Sequence, residues 1–262
     1  MKIKLLHATE ITIFILLLKV FSTDGKFSYI YELLFFVFLL VLVLFLNKDG
    51  TKEVGIKEPE KRELKLAWLA FVCLFPIAFI ARLADPQFDI IYGNAFGLET
   101  IAGMTLFLET LPFFVLKEEL AYRFSQSKML GYGIFAPVAV SLNFALMHMT
   151  KLNAYTVIIT VFFASLVVSL LYQKTKNLFL SIFVHLLYDA VIILQIYLHI
   201  TDIRYEYVFW LIYGFLFVAT IKNNKEVLKN LFVGDKFPKL RLTDYAFLIL
   251  FSVILPVILT RL

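Results

Sequence analysis

Charged residues are scarce in this sequence: Asp, Glu, Lys and Arg make up 17% of its 262 residues, while hydrophobic residues make up 61%. A soluble domain usually carries about a quarter charged residues and about half apolar ones. The composition therefore argues against a soluble protein and indicates a membrane protein. Apolar runs of about 20 residues, the length needed to cross a bilayer, recur along the chain. We therefore predict a single integral-membrane domain over residues 1–262.

Cysteine is nearly absent as well, and so are several protease signatures. The only cysteine, Cys73, cannot form an internal disulfide bond. The sequence contains no HExxH motif, no serine in a GxS setting and no GxGD motif. These absences argue against the zinc-motif, serine and GxGD-aspartate types of intramembrane protease.

The net charge of +5 does not indicate a nucleic-acid partner, because the basic residues fall in the loops between apolar runs and form no continuous basic face. Their distribution instead predicts an orientation in the membrane. With a cytoplasmic N-terminus, 19 of the 25 Lys and Arg residues lie on the cytoplasmic side. This agrees with the positive-inside rule.

The apolar runs predict an all-α bundle of about eight or nine transmembrane helices, since backbone groups in lipid must bond within their own segment. The candidate spans are 5–22, 30–46, 66–84, 101–127, 134–150, 154–172, 178–198, 205–221 and 243–260. Residues 47–65 mix both charge signs with Gly and Pro, which predicts a solvated linker. Residues 222–241 contain apolar positions at helical spacing, which predicts a short amphipathic helix.

Three polar motifs interrupt the core of the chain, about residues 101–198. They are KEELAYR at 117–123, NFALMH at 143–148 and HLLYD at 185–189. An ionisable side chain inside a span costs roughly 3 kcal/mol on insertion scales, so it usually faces the bundle interior and indicates a functional site or a structural pair.

In the first motif, Glu119 and Arg123 are four residues apart, which places them on one helical face where they can pair. Glu118 points about 100° away around the helix axis, so the two glutamates are expected to have different roles. A structural ion pair at the inner interface is the alternative interpretation of this motif.

The other two motifs supply histidines. His148 follows Asn143 and Phe144 by little more than one helical turn, while His185 and Asp189 form an i, i+4 pair. An aspartate in this position can hold an imidazole in one orientation. The alternatives are a hydrogen-bonded packing role for His148 and a polar pair that joins helices for His185 and Asp189.

Counting residues along each span predicts that these groups lie at similar depths. At about 1.5 Å per residue, Glu118, His185 and Asp189 fall roughly 10 to 16 Å from the inner ends of their helices, and His148 falls roughly 20 Å from its own. The depth of His148 agrees least well with those of the other three residues.

Carboxylates beside imidazoles in a wet cavity can remove a proton from water and deliver it to a leaving amine, which is the chemistry of peptide hydrolysis. The histidines can stabilise a developing oxyanion. Alternatively, Glu118, His148 and His185 can bind a divalent metal such as zinc, whose water becomes the nucleophile.

The three motifs together resemble those of the CPBP family, the CAAX-processing and bacteriocin-processing (Abi) membrane proteases that include the Ras-converting endopeptidase. The family motif EExxxR matches Glu118, Glu119 and Arg123; FxxxH matches Phe144 and His148; HxxxN or HxxxD matches His185 and Asp189. The resemblance covers about residues 118–189.

The resemblance implies an intramembrane endopeptidase that cuts a membrane-associated peptide or protein in the lipid bilayer. It implies that Glu118 activates the water, that Glu119 and Arg123 support it, and that His148, His185 and Asp189 complete the site. Phe144 and Asn143 are expected to support these residues.

Two other functions fit the same residues. Buried Glu, His and Asp side chains also form the pathways of transporters and proton relays. A non-catalytic bacteriocin-immunity protein with intact motifs is the second alternative.

Overall fold

The computed structural model describes Leu34, Val37 and residues 54–84, 100–148, 155–232 and 239–259. These residues are almost all helical, and no strand occurs in this part of the chain. The all-α fold is therefore confirmed. The predicted span 5–22, and nearly all of the span 30–46, lie outside the described residues.

The helices follow the predicted spans closely. Their bounds are α1 Lys61–Ala84, α2 Ile101–Met129, α3 Phe135–Met147, α4 Tyr155–Thr175, α5 Leu178–Thr201, α6 Ile203–Asn223, α7 Lys225–Phe232, α8 Leu242–Ile249 and α9 Leu255–Leu259. A 3₁₀ turn, Leu130–Tyr132, follows α2, and a π-helical turn, Leu250–Ile254, joins α8 to α9.

Within the described residues, four helices are long and apolar enough to cross a membrane. They are Lys61–Ala84, Ile158–Thr175, Leu178–Thr201 and Ile203–Asn223. The predicted total of eight or nine transmembrane helices is not confirmed. Large apolar side chains such as Leu211 and Phe215 are exposed on the outside of α6, as expected for a surface that contacts lipid.

Helices α4 and α5 occupy the centre of the bundle. Helix α4 packs against α1, α2, α3, α5 and α7, while α5 packs against α1, α2, α4 and α6. The three helices that carry the polar motifs, α2, α3 and α5, therefore all contact α4.

Helix α3 is shorter than the predicted span 134–150. Its 13 residues, Phe135–Met147, are about 20 Å long, whereas the hydrocarbon core of a bilayer is about 30 Å thick. His148 lies at the C-terminal end of this short helix. The distance from the start of α3 to His148 is therefore close to the roughly 20 Å counted from the sequence.

The prediction that residues 47–65 form a solvated linker is wrong for part of that segment. Val54 is fully buried, and the carbonyl oxygen of Gly55 accepts a hydrogen bond from the Leu178 amide at 3.1 Å. The Asn177 side chain donates to the Lys57 carbonyl at 3.2 Å. The segment is therefore docked against the turn between α4 and α5, because this turn offers it backbone and amide hydrogen-bond partners.

The predicted amphipathic helix is present as α7. Its apolar face does not lie free at the membrane surface, because Leu231 is fully buried and Val227 and Leu228 pack against the main hydrophobic core. Helix α7 contacts α1 and α4.

A second polar cluster joins α1, α5 and α6 at the end of the bundle where α5 meets α6. The fully buried carboxylate of Glu206 forms an ion pair with Arg82 and lies 2.8 Å from Nδ1 of His199. It also accepts hydrogen bonds from the side chains of Gln195 and Trp210 at 3.1 and 2.9 Å. These contacts fix α5 relative to its neighbours at the end far from Asn177.

Gly55 provides a test of the docked segment. It has a φ of +74°, and a Cβ at this position would overlap the Lys176 carbonyl. We expect Gly55→Ala to lower the thermal unfolding temperature of the detergent-solubilised protein by several degrees, since neither backbone can move freely.

Gly214→Ala is the matched control. A Cβ there would approach only the Phe75 ring, at 3.3 Å, and Gly214 has no positive φ. Equal unfolding temperatures for the two variants would contradict the docking of Gly55.

Candidate active site

The two adjacent glutamates of α2 face different environments. The side chain of Glu119 is 3% exposed, and its Oε2 lies 2.9 Å from Nε of Arg123. The side chain of Glu118 is 25% exposed and lines an internal cavity. The difference follows from the 100° rotation between neighbouring helix positions.

Arg123 is held by a buried polar network that the sequence motifs did not reveal. Its Nη1 donates to the Gln126 side chain and to Oγ of Ser169, the latter at 2.8 Å. The Gln126 side chain donates to the Ser169 carbonyl at 2.8 Å, and Oγ of Ser141 lies 3.1 Å from Oγ of Ser169. This network ties α2 to α3 and α4. Its only signal in the sequence is the presence of small polar residues within apolar helices.

His185 lies between two carboxylates. Its Nδ1 is 2.9 Å from Oε1 of Glu119, and its Nε2 is 3.4 Å from Oδ2 of Asp189. The expected pairing with Asp189 is therefore present. The contact with Glu119 links α5 to α2 and was not predicted.

His148 approaches the site from the end of α3. Its Nδ1 lies 2.8 Å from the Phe144 carbonyl, and a carbonyl can only accept, so Nδ1 carries the hydrogen. The other ring nitrogen, Nε2, lies 3.9 Å from Oε1 of Glu118. The depth predicted for His148 agreed least well with those of the other candidate residues, yet the structure places His148 next to Glu118.

The ring of Phe144 separates and orients the two histidines. Its centroid lies 4.4 Å from that of His148 and 5.9 Å from that of His185. Tyr122 packs edge-on against the same ring at 4.9 Å. Phe144 therefore packs against both imidazoles.

These groups surround a cavity of about 130 Å³ between α2, α3, α4 and α5. This volume holds roughly four water molecules at liquid density. Five of the six predicted catalytic residues line it, together with Phe144: Glu118, Glu119, His148, His185 and Asp189. The remaining walls are mostly apolar, and they include Phe107, Leu111, Val161 and Ile192.

Two of the predicted residues do not line the cavity. Arg123 contacts the carboxylate of Glu119, as described above, and does not reach the cavity. Asn143 is fully buried, and its side-chain amide donates to the Phe251 carbonyl at 2.6 Å. Asn143 therefore connects α3 to the π-helical turn and contacts none of the catalytic candidates directly. Cavity residues that the sequence did not indicate include Thr160, Ser165 and Tyr188.

The side chains do not fit the metal site considered from the sequence. Both ring nitrogens of His185 face carboxylates, so neither is free to bind a metal without breaking a contact. Glu118 and His148 remain as a two-residue set, whereas a catalytic zinc usually has three protein ligands. No group of three suitable His, Cys, Asp or Glu side chains occurs among the described residues.

Comparison with known proteins gives one family match. Residues 100–191 match the family model described as type II CAAX prenyl endopeptidase Rce1-like. Neither the curated proteins nor the solved structures give a significant match to the chain.

The matched segment runs from the N-cap of α2 to just beyond Asp189 on α5. It contains all six candidate catalytic residues. The match confirms the resemblance predicted from the three motifs, and it identifies residues 100–191 as the part of this membrane protein that is similar to the Rce1-like CAAX proteases.

Proposed function

We propose that this protein is an intramembrane endopeptidase in which Glu118 activates a water molecule to hydrolyse a peptide bond. The observation that carries the proposal is the position of Glu118: its carboxylate and Nε2 of His148 lie 3.9 Å apart at the wall of one cavity. A water oxygen can lie within hydrogen-bonding distance of both atoms at that separation. The similarity to the CAAX prenyl endopeptidases supports proteolysis.

The reaction begins with proton removal. The water donates one hydrogen bond to Glu118 and another to Nε2 of His148, whose Nδ1–H is committed to the Phe144 carbonyl. Glu118 takes a proton as the water oxygen attacks the carbonyl carbon of the substrate. The C–O bond forms and the carbonyl oxygen becomes an oxyanion.

His185 is placed to stabilise this oxyanion. Its Nδ1 donates to a carboxylate oxygen of Glu119, since a carboxylate only accepts, and its Nε2 lies near Asp189 without a hydrogen bond. Glu119 holds the Nδ1–H side at 2.9 Å. The Nε2 side lies at the longer distance of 3.4 Å from Asp189 and can turn toward the oxyanion.

Collapse of the intermediate breaks the C–N bond. The proton on Glu118 passes to the departing nitrogen, which leaves as an amine, and the new carboxyl group keeps the oxygen of the water. Glu118 returns to its ionised form. Glu119 and Arg123 are positioning residues in this scheme, because their contacts hold α2 and His185 in place.

The proposed substrate is a membrane-associated peptide or protein, and the family description makes a prenylated CAAX peptide the natural first probe. The same family match does not favour the transporter, proton-relay or immunity alternatives. The apolar walls of the cavity suit apolar substrate side chains better than ions or small polar solutes.

The first experiment uses Glu118→Gln. We expect this change to lower the cleavage rate of an internally quenched, farnesylated CAAX peptide in proteoliposomes by at least about a hundredfold, because the general base is lost. Glu109→Gln is the matched control on the same helix, since Glu109 is exposed and outside the cavity. A Glu118→Gln protein that cleaves at the unaltered rate would remove the proposed mechanism.

The second experiment tests whether Asp189 acts through its oxygen beside His185 or only by filling space. Asp189→Asn keeps an oxygen beside Nε2 of His185, so we expect it to retain a tenth or more of the activity. Asp189→Leu has a similar size but no acceptor, and we expect it to lose at least about a hundredfold. The measurement is kcat for the same peptide. Equal activities for the two variants would show that the contact with His185 is not required.

We also propose that the N-terminus is cytoplasmic and that the active site lies nearer the cytoplasmic side. The charge distribution supports this orientation, with most Lys and Arg residues on the side that holds residues 222–242.

Cysteine labelling tests the orientation, since the natural Cys73 is buried and gives a low background. A membrane-impermeant maleimide should label Arg204→Cys in intact cells, and Lys225→Cys only after permeabilisation. Both positions are exposed. The reverse pattern would invert the proposed orientation.

A further inference from the structure

Helix α4 contributes a wall to the cavity but none of the predicted catalytic residues. The residues of this wall include Val161, Ala164, Ser165 and Val168, whose spacing places them on one helical face. Ser165 lies in the middle of that face and is 7% exposed. It is a polar residue in an otherwise apolar part of the wall, and its hydroxyl oxygen is enclosed.

The hydroxyl of Ser165 differs from the other buried hydroxyls of these helices. Its Oγ is buried and has no hydrogen-bond partner within the described part of the chain. Five buried hydroxyls elsewhere donate to the carbonyl four residues earlier, at 2.6 to 2.9 Å: Ser125, Ser141, Thr160, Thr175 and Ser252. Ser165 is thus an exception that lines the cavity.

A buried hydroxyl without a partner destabilises the folded protein. Close helix packing does not account for it, because alanine would occupy nearly the same volume without a polar atom to satisfy. The hydroxyl is accounted for if its partner arrives with a ligand.

We propose that Ser165 is a substrate-binding residue: rotation about its Cα–Cβ bond turns the enclosed hydroxyl into the cavity, where it forms a hydrogen bond with the backbone of the bound peptide beside the scissile bond. The proposal rests on the protease function proposed above. A peptide that enters the cavity loses water from its backbone N–H and C=O groups, and these groups need partners among walls that are largely apolar. A serine hydroxyl can donate to the carbonyl or accept from the amide.

The chemistry already assigned to the cavity leaves this role open. Glu118 and His148 hold the water, and His185 faces the oxyanion. These residues belong to α2, α3 and α5. A contact from α4 therefore holds the peptide from another wall.

The experiment measures kcat and KM for the farnesylated CAAX peptide with Ser165→Ala. We expect KM to rise about three- to tenfold, as for the loss of one neutral hydrogen bond, while kcat changes by less than about twofold. This pattern identifies binding that is equal in the ground state and the transition state. Ser165→Cys, which replaces the hydroxyl with a slightly larger thiol that donates only weakly, should raise KM as well.

Thr160→Val is the matched control. Thr160 also lines the cavity, but its hydroxyl is committed to the Thr156 carbonyl at 2.7 Å. Valine keeps the shape, so we expect KM to stay within about twofold of the wild-type value.

Binding provides a second readout that does not require catalysis. The Kd of the peptide for the Glu118→Gln protein should rise three- to tenfold when Ser165→Ala is added, with the unfolding temperature recorded for each protein.

If the wild type cleaves the peptide and neither Ser165 variant changes KM or Kd, only the role of Ser165 is refuted, and the proposed protease function stands. A fall in kcat without a change in KM refutes it too. If the wild type neither binds nor cleaves the peptide, the prenylated-peptide substrate and the inference about Ser165 both fail.

Discussion

The site depends on one buried carboxylate, that of Glu119. Arg123 contacts it from the same helix and His185 contacts it from α5, so a single negative charge is held by two cationic or hydrogen-bonding partners. Removing one partner of a buried ion pair costs about 3–5 kcal/mol, because the other charge is left without compensation. This requirement fixes the rotation of α2 and its position against α5. It thereby fixes the direction in which the next residue, Glu118, can point.

Glu118 and Glu119 lie in different environments and have different roles in the proposed mechanism. Glu119 is enclosed and contacts both Arg123 and His185, whereas Glu118 is partly exposed to a cavity with room for water and lies 3.9 Å from His148. A general base has to exchange protons with water and with a leaving group, which an enclosed carboxylate cannot do. The buried network of Gln126, Ser169 and Ser141 holds Arg123 in place and adds no reactive group. Polar groups in the interior therefore stabilise the geometry, and the acid that they leave accessible is the one proposed as the general base.

Much of the fold and the site followed from local patterns. The helix bounds of α4, α5 and α6 agree with the apolar runs within a few residues, because a backbone in lipid has few alternatives to a helix. The i, i+4 pairs of Glu119 with Arg123 and of His185 with Asp189 follow from helix periodicity alone. Contacts between helices could not be predicted in the same way. The pairing of His185 with Glu119 and the docking of Gly55 against the turn after α4 depend on how distant segments pack, and a period of 3.6 residues carries no information about this.

The sequence by itself determined that this is an apolar helical protein with three acid–base motifs, and it indicated which residues within each motif share a face. The tertiary structure decided how those faces meet. It brought His148, at the C-terminal end of α3, to within 3.9 Å of Glu118, and it placed both nitrogens of His185 near carboxylates. It also put Ser165 on a cavity wall without a hydrogen-bond partner in the described chain. The physical reason is that spacing within a helix is set by local backbone geometry, whereas the approach of one helix to another is set by the shapes and charges of whole surfaces.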